Sequence, residues 1–251
     1  MATAPAFDHA LEISRSAPSL QLGCHVVLVD GVPLLPADQI SDLVEPGTKH
    51  FHRKLSSFLR LLLCHRIRPQ QIEAEAIAQI RKLQSAGVQV SHLDTHKHTH
   101  MFPQVLHPLL RAAQACGVRA VRNPFEPVRP SLLVQHPRIF KRWLEVKTLG
   151  VLANKFLCVT TRSGISTTSG TFGIAATGIL DENLFRAIVQ DIPDGTWEFV
   201  CHPGYNDSQL QAIPTRLKES RARELQVLTS PETRTILEKL GIQLVSYRDL
   251  S

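Results

Sequence analysis

The sequence predicts an α/β fold with a mainly parallel sheet, and two observations support this. Short apolar runs bounded by turn residues alternate with longer segments of helical period, as in parallel sheets whose strands are connected by helices. The 251 residues are also 43% hydrophobic and 20% charged, which is enough apolar surface for a substantial core. We therefore expect one globular domain over residues 1–251.

The individual elements are predicted from periodicity and from end signals. Gly87 and Gly117 follow the last residues of two helical patterns, where glycine is favoured because it adopts positive φ without strain. The predicted helices are 6–16, 54–68, 70–86, 103–116, a segment from Pro137 toward Phe156, 181–190 capped by Asp181, 215–228 and 230–240. The predicted strands are 20–29, 88–94, 118–121, 197–201 and 242–246, and residues 160–178 form a loop with room for one strand.

Composition disfavours several classes of protein. No apolar run approaches the roughly 18 residues of a membrane span, and the N-terminus does not resemble a secretory signal, so we expect a cytoplasmic protein. Five cysteines without a CxxC pair argue against a disulfide framework. The net charge is +6, but the basic residues are dispersed without interleaved aromatics, so we expect no nucleic-acid partner. The sequence is compatible with a homodimer.

The segment from His92 to His100 concentrates side chains that bind metals or transfer protons. Its alternate residues share one face if the chain is extended; they are His92, Asp94, His96, His98 and His100. If the chain becomes helical after His96, then His96 and His100 meet instead as an i, i+4 pair. Imidazole and carboxylate groups are good ligands for Zn²⁺ or a similar divalent ion. The alternative is a solvated histidine-rich loop. We expect one or two histidines to hold the metal and the others to orient ligands, bind substrate or transfer protons.

Two further histidines lie in or just after apolar strands. They are His25 and His202, and the carboxyl ends of strands converge on one face of barrel-like α/β folds. His25 fits a metal site and a core position equally well, whereas His202 precedes a Pro-Gly turn that can approach a ligand. Arg119 and Arg122 are candidates to clamp an anionic or hydroxyl-rich ligand, the alternative being surface cations. GxSxG, GxxxxGK[ST] and GxGxxG motifs are absent, which disfavours serine hydrolase, P-loop and dinucleotide-binding functions.

Three segments together resemble the YdjC-like carbohydrate deacetylases. Residues 92–105, HLDTHKHTHMFPQV, resemble the family hallmark HLDSHHHVHxFP; residues 23–28 resemble its GxHxxL segment; and residues 201–205, CHPGY, resemble its CHP segment. The motifs occur in the family's order and span most of the chain. Residues 29–36 and 246–250 are most similar to the branch associated with hopanoid biosynthesis.

The resemblance implies an irregular (β/α) barrel of the polysaccharide-deacetylase type that uses a divalent metal, Mg²⁺ or Zn²⁺, to remove acetyl groups from N-acetylated sugars. His25 and His96 would be the metal ligands, and His202 would protonate the leaving amine or stabilise the oxyanion. The resemblance extends the substrate-binding prediction to His98, His100, Arg122 and Tyr205.

One family element has no counterpart in the sequence. The Asp-Asp-Phe-Gly stretch of the family's first strand is absent, which predicts an N-terminally truncated domain that lacks its first strand and helix. Asp94 is then the carboxylate available for the catalytic role. The expected function is metal-dependent hydrolysis of an N-acetylated sugar or glycolipid. The alternatives are an inactive sugar-binding or scaffold homologue and an unrelated metal-dependent phosphoesterase.

Overall fold

The computed structural model describes residues 1–127, Leu132, 136–213 and 215–250. Its strands are β1 (Leu22–Val26), β2 (Val90–Thr95), β3 (Gly170–Phe172) and β4 (Trp197–Phe199). Its α-helices are α1 (Phe7–Ser16), α2 (Leu55–Leu63), α3 (Pro69–Ser85), α4 (Pro103–Ala115), α5 (Phe140–Leu149), α6 (Ala153–Arg162), α7 (Glu182–Val189), α8 (Ser208–Ala212), α9 (Glu219–Thr229) and α10 (Pro231–Lys239). Short 3₁₀ helices cover His96–Met101, Pro137–Ile139, Gly150–Leu152 and Tyr247–Leu250.

The chain forms two compact units. Unit 1 comprises Met1–Pro124, Leu152–Thr167 and Ser246–Ser251, and unit 2 comprises Phe125–Val151 and Thr168–Val245. The expected single domain over residues 1–251 stays a prediction. None of the described helices is long and apolar enough to cross a membrane.

Unit 1 is built on a parallel pair of strands. β1 and β2 pair in parallel, with His25 opposite Asp94 and Val26 opposite Thr95. Parallel bridges join Leu93 to Val121 and Ala120 to Ser166, so the predicted strand at 118–121 contributes single bridges rather than a continuous ladder. Helices α3 and α4 cover these strands with an apolar core, whose fully buried members include Leu28, Ile72, Ile80, Leu93, Val105 and Leu109. The predicted α/β class is confirmed in this unit.

Unit 2 repeats the α/β arrangement on a smaller scale. β3 and β4 pair in parallel, with Phe172 opposite Phe199. An apolar cluster packs against Phe172 and includes Ala176, Leu180, Leu184, Phe185, Ile188 and Val189. Asp181 caps α7 as predicted, since its side chain accepts a hydrogen bond from the backbone N–H of Leu184 at 2.9 Å.

Several predicted elements are wrong or displaced. Residues 242–246 form no strand, because Ile242 closes the C-terminus of α10 through the Leu237 carbonyl and the next residues are exposed. The helix predicted over 54–68 ends at Leu63, two residues before His65 adopts a φ of 55°. The helix expected from Pro137 to Phe156 is divided by the 3₁₀ turn at Gly150, and the helix predicted from Thr215 begins at Glu219. Helix α8 was not predicted.

Candidate functional site

The candidate site of unit 1 begins with a hydrogen bond across the parallel strands. Because His25 of β1 lies opposite Asp94 of β2, both side chains project from the same face of the pair. The Nδ1 atom of His25 lies 2.7 Å from Oδ2 of Asp94. The carboxylate therefore accepts the Nδ1 proton, which leaves Nε2 as the ring nitrogen that faces His96.

Arg122 holds the same carboxylate from the other side. Its guanidinium Nη1 donates to Oδ2 of Asp94, and its backbone N–H donates to the Leu93 carbonyl at 2.9 Å. The Asp94 side chain is 6% exposed and that of Arg122 is 15% exposed. Burial opposes ionisation of Asp94, but its interactions with His25 and Arg122 more than offset this and hold the pKa of Asp94 well below its usual range.

His96 supplies a second imidazole to this group. It follows the last residue of β2, and its Nδ1 lies 3.5 Å from Nε2 of His25, with the two rings edge to face at 74°. Burial, with smaller contributions from His25 and Lys97, lowers the pKa of His96 to about 4. His96 is therefore neutral near pH 7.

The two imidazoles fit two ligand positions of one divalent ion. Nitrogen ligands about 2.1 Å from a tetrahedral ion lie roughly 3.4 Å apart, and the Nε2 to Nδ1 distance here is 3.5 Å. The bond from His25 to Asp94 matches the outer-shell carboxylate that commonly orients a metal-binding histidine. Within the described part of the chain, no group of three His, Cys, Asp or Glu side chains is placed to hold a metal. The candidate metal ligands among the described residues are therefore these two imidazoles.

The turn after His96 has a strained backbone. Lys97 and His98 have φ values of 57° and 52°, a left-handed conformation that is uncommon outside glycine, asparagine and aspartate. Lys97 Nζ donates to Oδ2 of Asp30 at 2.7 Å, and Asp30 itself has a φ of 56°. Sequence reasoning missed this ion pair, for which the Asp-Gly turn at residues 30–31 was the available signal. The pair ties the turn to the loop that follows β1.

His100 lies in the core beneath this turn. It is fully buried, and its Nε2 donates to the Arg122 carbonyl at 3.1 Å while its Nδ1 accepts from the Thr95 hydroxyl at 2.7 Å. Thr95 Oγ1 in turn accepts from the His100 backbone N–H and from the Thr99 hydroxyl. Burial lowers the pKa of His100 to about 3, and the charge of His98 adds to this. His100 and His96 therefore do not form the expected i, i+4 ligand pair.

The alternation predicted for an extended chain applies only as far as Thr95. There β2 ends, and His96–Met101 form a 3₁₀ turn instead. The strand register is also irregular between the pairs Leu22–Val90 and Cys24–Leu93, where β1 advances two residues and β2 three. The His92 ring stacks on Tyr247 at 3.9 Å and lies directly over Gly23, where a Cβ atom would be 2.4 Å from the ring.

Of the remaining predicted residues, Arg119 and His98 lie in unit 1, and His202 and Tyr205 lie in unit 2. The ring centroid of His98 is 6.4 Å from that of His100. His202 and Tyr205 belong to the segment after β4. The backbone N–H of His202 donates to Oε2 of Glu224, a buried residue of α9. The Tyr205 side chain is 79% exposed. The buried Glu224 thus fixes the start of the Cys201–Tyr205 segment.

Fold and side chains together define an α/β protein with a carboxylate-anchored pair of histidines at the carboxyl ends of two parallel strands. Residues 1–239 match the family described as YdjC-like protein, and the chain belongs to that family. Curated relatives include carbohydrate deacetylase 1 of Listeria innocua serovar 6a, 27% identical over 251 residues that make up 100% of this chain and 86% of the relative. The carbohydrate deacetylase of Geobacillus stearothermophilus is 30% identical over 250 residues, which cover 99% of this chain and 84% of the relative.

A solved structure shows the same fold. It is a protein of Enterococcus faecalis that carries the provisional description of a cellobiose-phosphate cleavage protein. The TM-score is 0.77 at 23% identity, and the match covers 100% of this chain and 86% of the other. At this identity the comparison concerns the fold alone.

Proposed function

We propose that this protein is a metal-dependent deacetylase of an N-acetylated sugar or glycolipid. The observation that carries the proposal is the pairing of His25 Nε2 with His96 Nδ1 at 3.5 Å, with His25 anchored on Asp94. Family membership and the deacetylase relatives support the same reaction class. We further propose that the substrate is a glycolipid of the hopanoid class, because residues 29–36 and 246–250 resemble the family branch associated with hopanoid biosynthesis. The barrel architecture stays a prediction.

His25 and His96 are the proposed ligands, and Mg²⁺ or Zn²⁺ is the proposed ion. A divalent ion bound there supplies Lewis acidity toward the acetamide carbonyl. Asp94 fixes the tautomer and ring orientation of His25. Because Asp94 is buried, bonded to Arg122 and held at low pKa, we propose it as a positioning residue rather than the general base.

The other assignments follow from exposure and from the resemblance. His202 is proposed to protonate the leaving amine, and the exposed Tyr205 and the partly exposed His98 to contact the sugar. We propose structural roles for Arg122 and His100, in place of the predicted substrate contacts. The reason is that Arg122 holds Asp94 and that both ring nitrogens of the buried His100 have hydrogen-bond partners.

The decisive experiment measures acetate release and metal binding together. Purified protein is incubated with N-acetylglucosamine-containing oligosaccharides and glycolipids, with Mg²⁺ or Zn²⁺ and with a chelator, and Zn²⁺ affinity is measured by calorimetry. We expect His96→Ala to lower both turnover and affinity by at least about 100-fold, because it removes one of two protein ligands.

His92→Ala is the matched control, since His92 lies on β2, four residues before His96, but stacks on Tyr247. Its Zn²⁺ affinity and turnover should equal those of the wild type. Turnover that survives both the chelator and His96→Ala would refute the metal-dependent mechanism.

A second candidate is a sugar-binding homologue without turnover. The observation that favours it is the state of Asp94, whose bonds to His25 and Arg122 leave it poorly suited to accept a proton from water. Saturable binding of N-acetylated sugar without acetate release, in metal-loaded protein, would support this candidate over the deacetylase.

A further inference from the structure

Helix α5 of unit 2 presents large apolar side chains to solvent. Phe140 is 57% exposed, Leu144 is 47% exposed, and Val151 in the following 3₁₀ turn is 81% exposed. Positions separated by four residues fall on the same side of a helix, so Phe140 and Leu144 form one exposed apolar stripe, and Val151 follows in the turn after the helix. None of the described side chains of α5 is buried. The stripe therefore has no core to pack against among the described residues.

Aromatic and cationic groups flank this stripe. The rings of Phe140 and Trp143 are nearly parallel, with their centroids 6.2 Å apart. Lys147 Nζ lies 5.1 Å from the centroid of the Trp143 ring. Residues 136–151 contain four Lys or Arg residues and one acidic residue, Glu145. Exposed apolar side chains beside aromatics and cations are typical of helices that lie in the headgroup region of a bilayer.

We propose that α5 docks this protein on an anionic lipid surface. Phe140, Leu144 and Val151 enter the boundary between headgroups and acyl chains, while Lys147 contacts the headgroups. The positive sign of the segment, and of the whole chain at +6, complements anionic lipid. A second copy of this chain is a less suitable partner for the α5 stripe, because a symmetric dimer would place the same cationic segment against itself.

The test is co-sedimentation of the full chain with vesicles of phosphatidylcholine alone or mixed with phosphatidylglycerol. We expect at least about tenfold tighter binding to the anionic vesicles and weakening of that binding at high salt. Phe140→Ser/Leu144→Ser should lower binding to anionic vesicles at least about tenfold. Lys147→Glu should also lower binding to anionic vesicles, because it replaces a positive charge with a negative one.

Leu244→Ser is the matched control, because Leu244 is an 80% exposed apolar residue of unit 2 outside α5. It should bind vesicles like the wild type, and circular dichroism should show that every variant is folded. The proposal is overturned if the α5 variants bind like the wild type, or if neutral and anionic vesicles bind equally. It is also overturned if the wild type forms a dimer that the double variant lacks while neither binds vesicles.

Discussion

Asp94 is the residue on which the candidate site depends. One of its oxygens, Oδ2, accepts hydrogen bonds from both His25 and Arg122, and the side chain is 6% exposed. A buried carboxylate of this kind is stable only while both partners remain, since an uncompensated charge in the interior is costly. The same interaction orients the His25 ring, so stability and ligand geometry are coupled at this position.

Asp94→Asn should therefore reduce both properties. We expect the free energy of unfolding to fall by about 3 kcal/mol, because the Arg122 guanidinium, which is only partly exposed, loses its counter-charge. We also expect the Zn²⁺ affinity to fall by about 10- to 100-fold through the loss of an oriented His25. Urea unfolding and calorimetry measure the two effects.

Asp42→Asn is the control for Asp94→Asn. Its partner Arg68 has a side chain that is 64% exposed, and exposed ion pairs contribute less than about 1 kcal/mol. A loss of stability in Asp94→Asn no larger than in Asp42→Asn would contradict the proposed role of Asp94.

Among the elements, α3 holds the chain segment that follows β1 through polar contacts as well as apolar ones. Gln71, Glu75 and Gln79 follow at intervals of four on one face of the helix, and all three are buried. Gln79 accepts from the Val27 N–H at 2.9 Å and donates to the Val27 carbonyl at 2.8 Å. Glu75 accepts from the N–H groups of Leu34 and Leu35. The helix thus supplies hydrogen-bond partners for backbone groups after β1, where the chain is no longer part of a β-ladder.

Gln79→Ala should lower the free energy of unfolding by about 2 to 4 kcal/mol. It leaves the buried N–H and C=O of Val27 without the partners they have on Gln79, and each buried unsatisfied group costs about 1 to 3 kcal/mol. Gln70→Ala, at an exposed position of the same helix, should change stability by less than about 0.5 kcal/mol. Equal effects in the two variants, measured by urea unfolding, would show that the Val27 contacts contribute little.

At the scale of the whole molecule, buried carboxyl groups make stability depend on pH. Glu126 of unit 2 is 9% exposed and accepts from the backbone N–H groups of Gly173 and Ala175. Burial raises the pKa of Glu126 from 4.5 to about 7, although the backbone hydrogen bonds act in the opposite direction. The folded state therefore binds this proton more tightly than the unfolded state does.

The contribution of Glu126 should be fully present below pH 4.5 and lost as the pH rises to about 7. This contribution of Glu126 to the free energy of unfolding is up to about 3 kcal/mol. Glu126→Gln keeps the shape of the side chain but removes its titratable group. The stability difference between wild type and variant should therefore change across this pH window. Urea unfolding at a series of pH values measures that difference, and a constant difference would contradict the raised pKa.

The sequence predicted which two histidines come together better than it predicted the arrangement of their neighbours. His25 and His96 were both assigned from motifs, and the structure brings them together with Asp94. The arrangement of the neighbouring histidines was not predicted, because β2 ends at Thr95 and a left-handed turn at Lys97 and His98 follows it. The turn has no strong signal in a single sequence, since lysine rarely adopts positive φ.

The sequence by itself determined the α/β class, most of the helices and the residues with metal-binding chemistry, because these follow from local periodicity and side-chain type. Tertiary structure alone decided which nitrogen atoms face each other and that Arg122 holds Asp94. It also decided that residues 242–246 form no strand. The physical reason is that strand pairing and the burial of charge depend on contacts between residues far apart in the chain, such as His25 and Asp94, which local propensity does not encode.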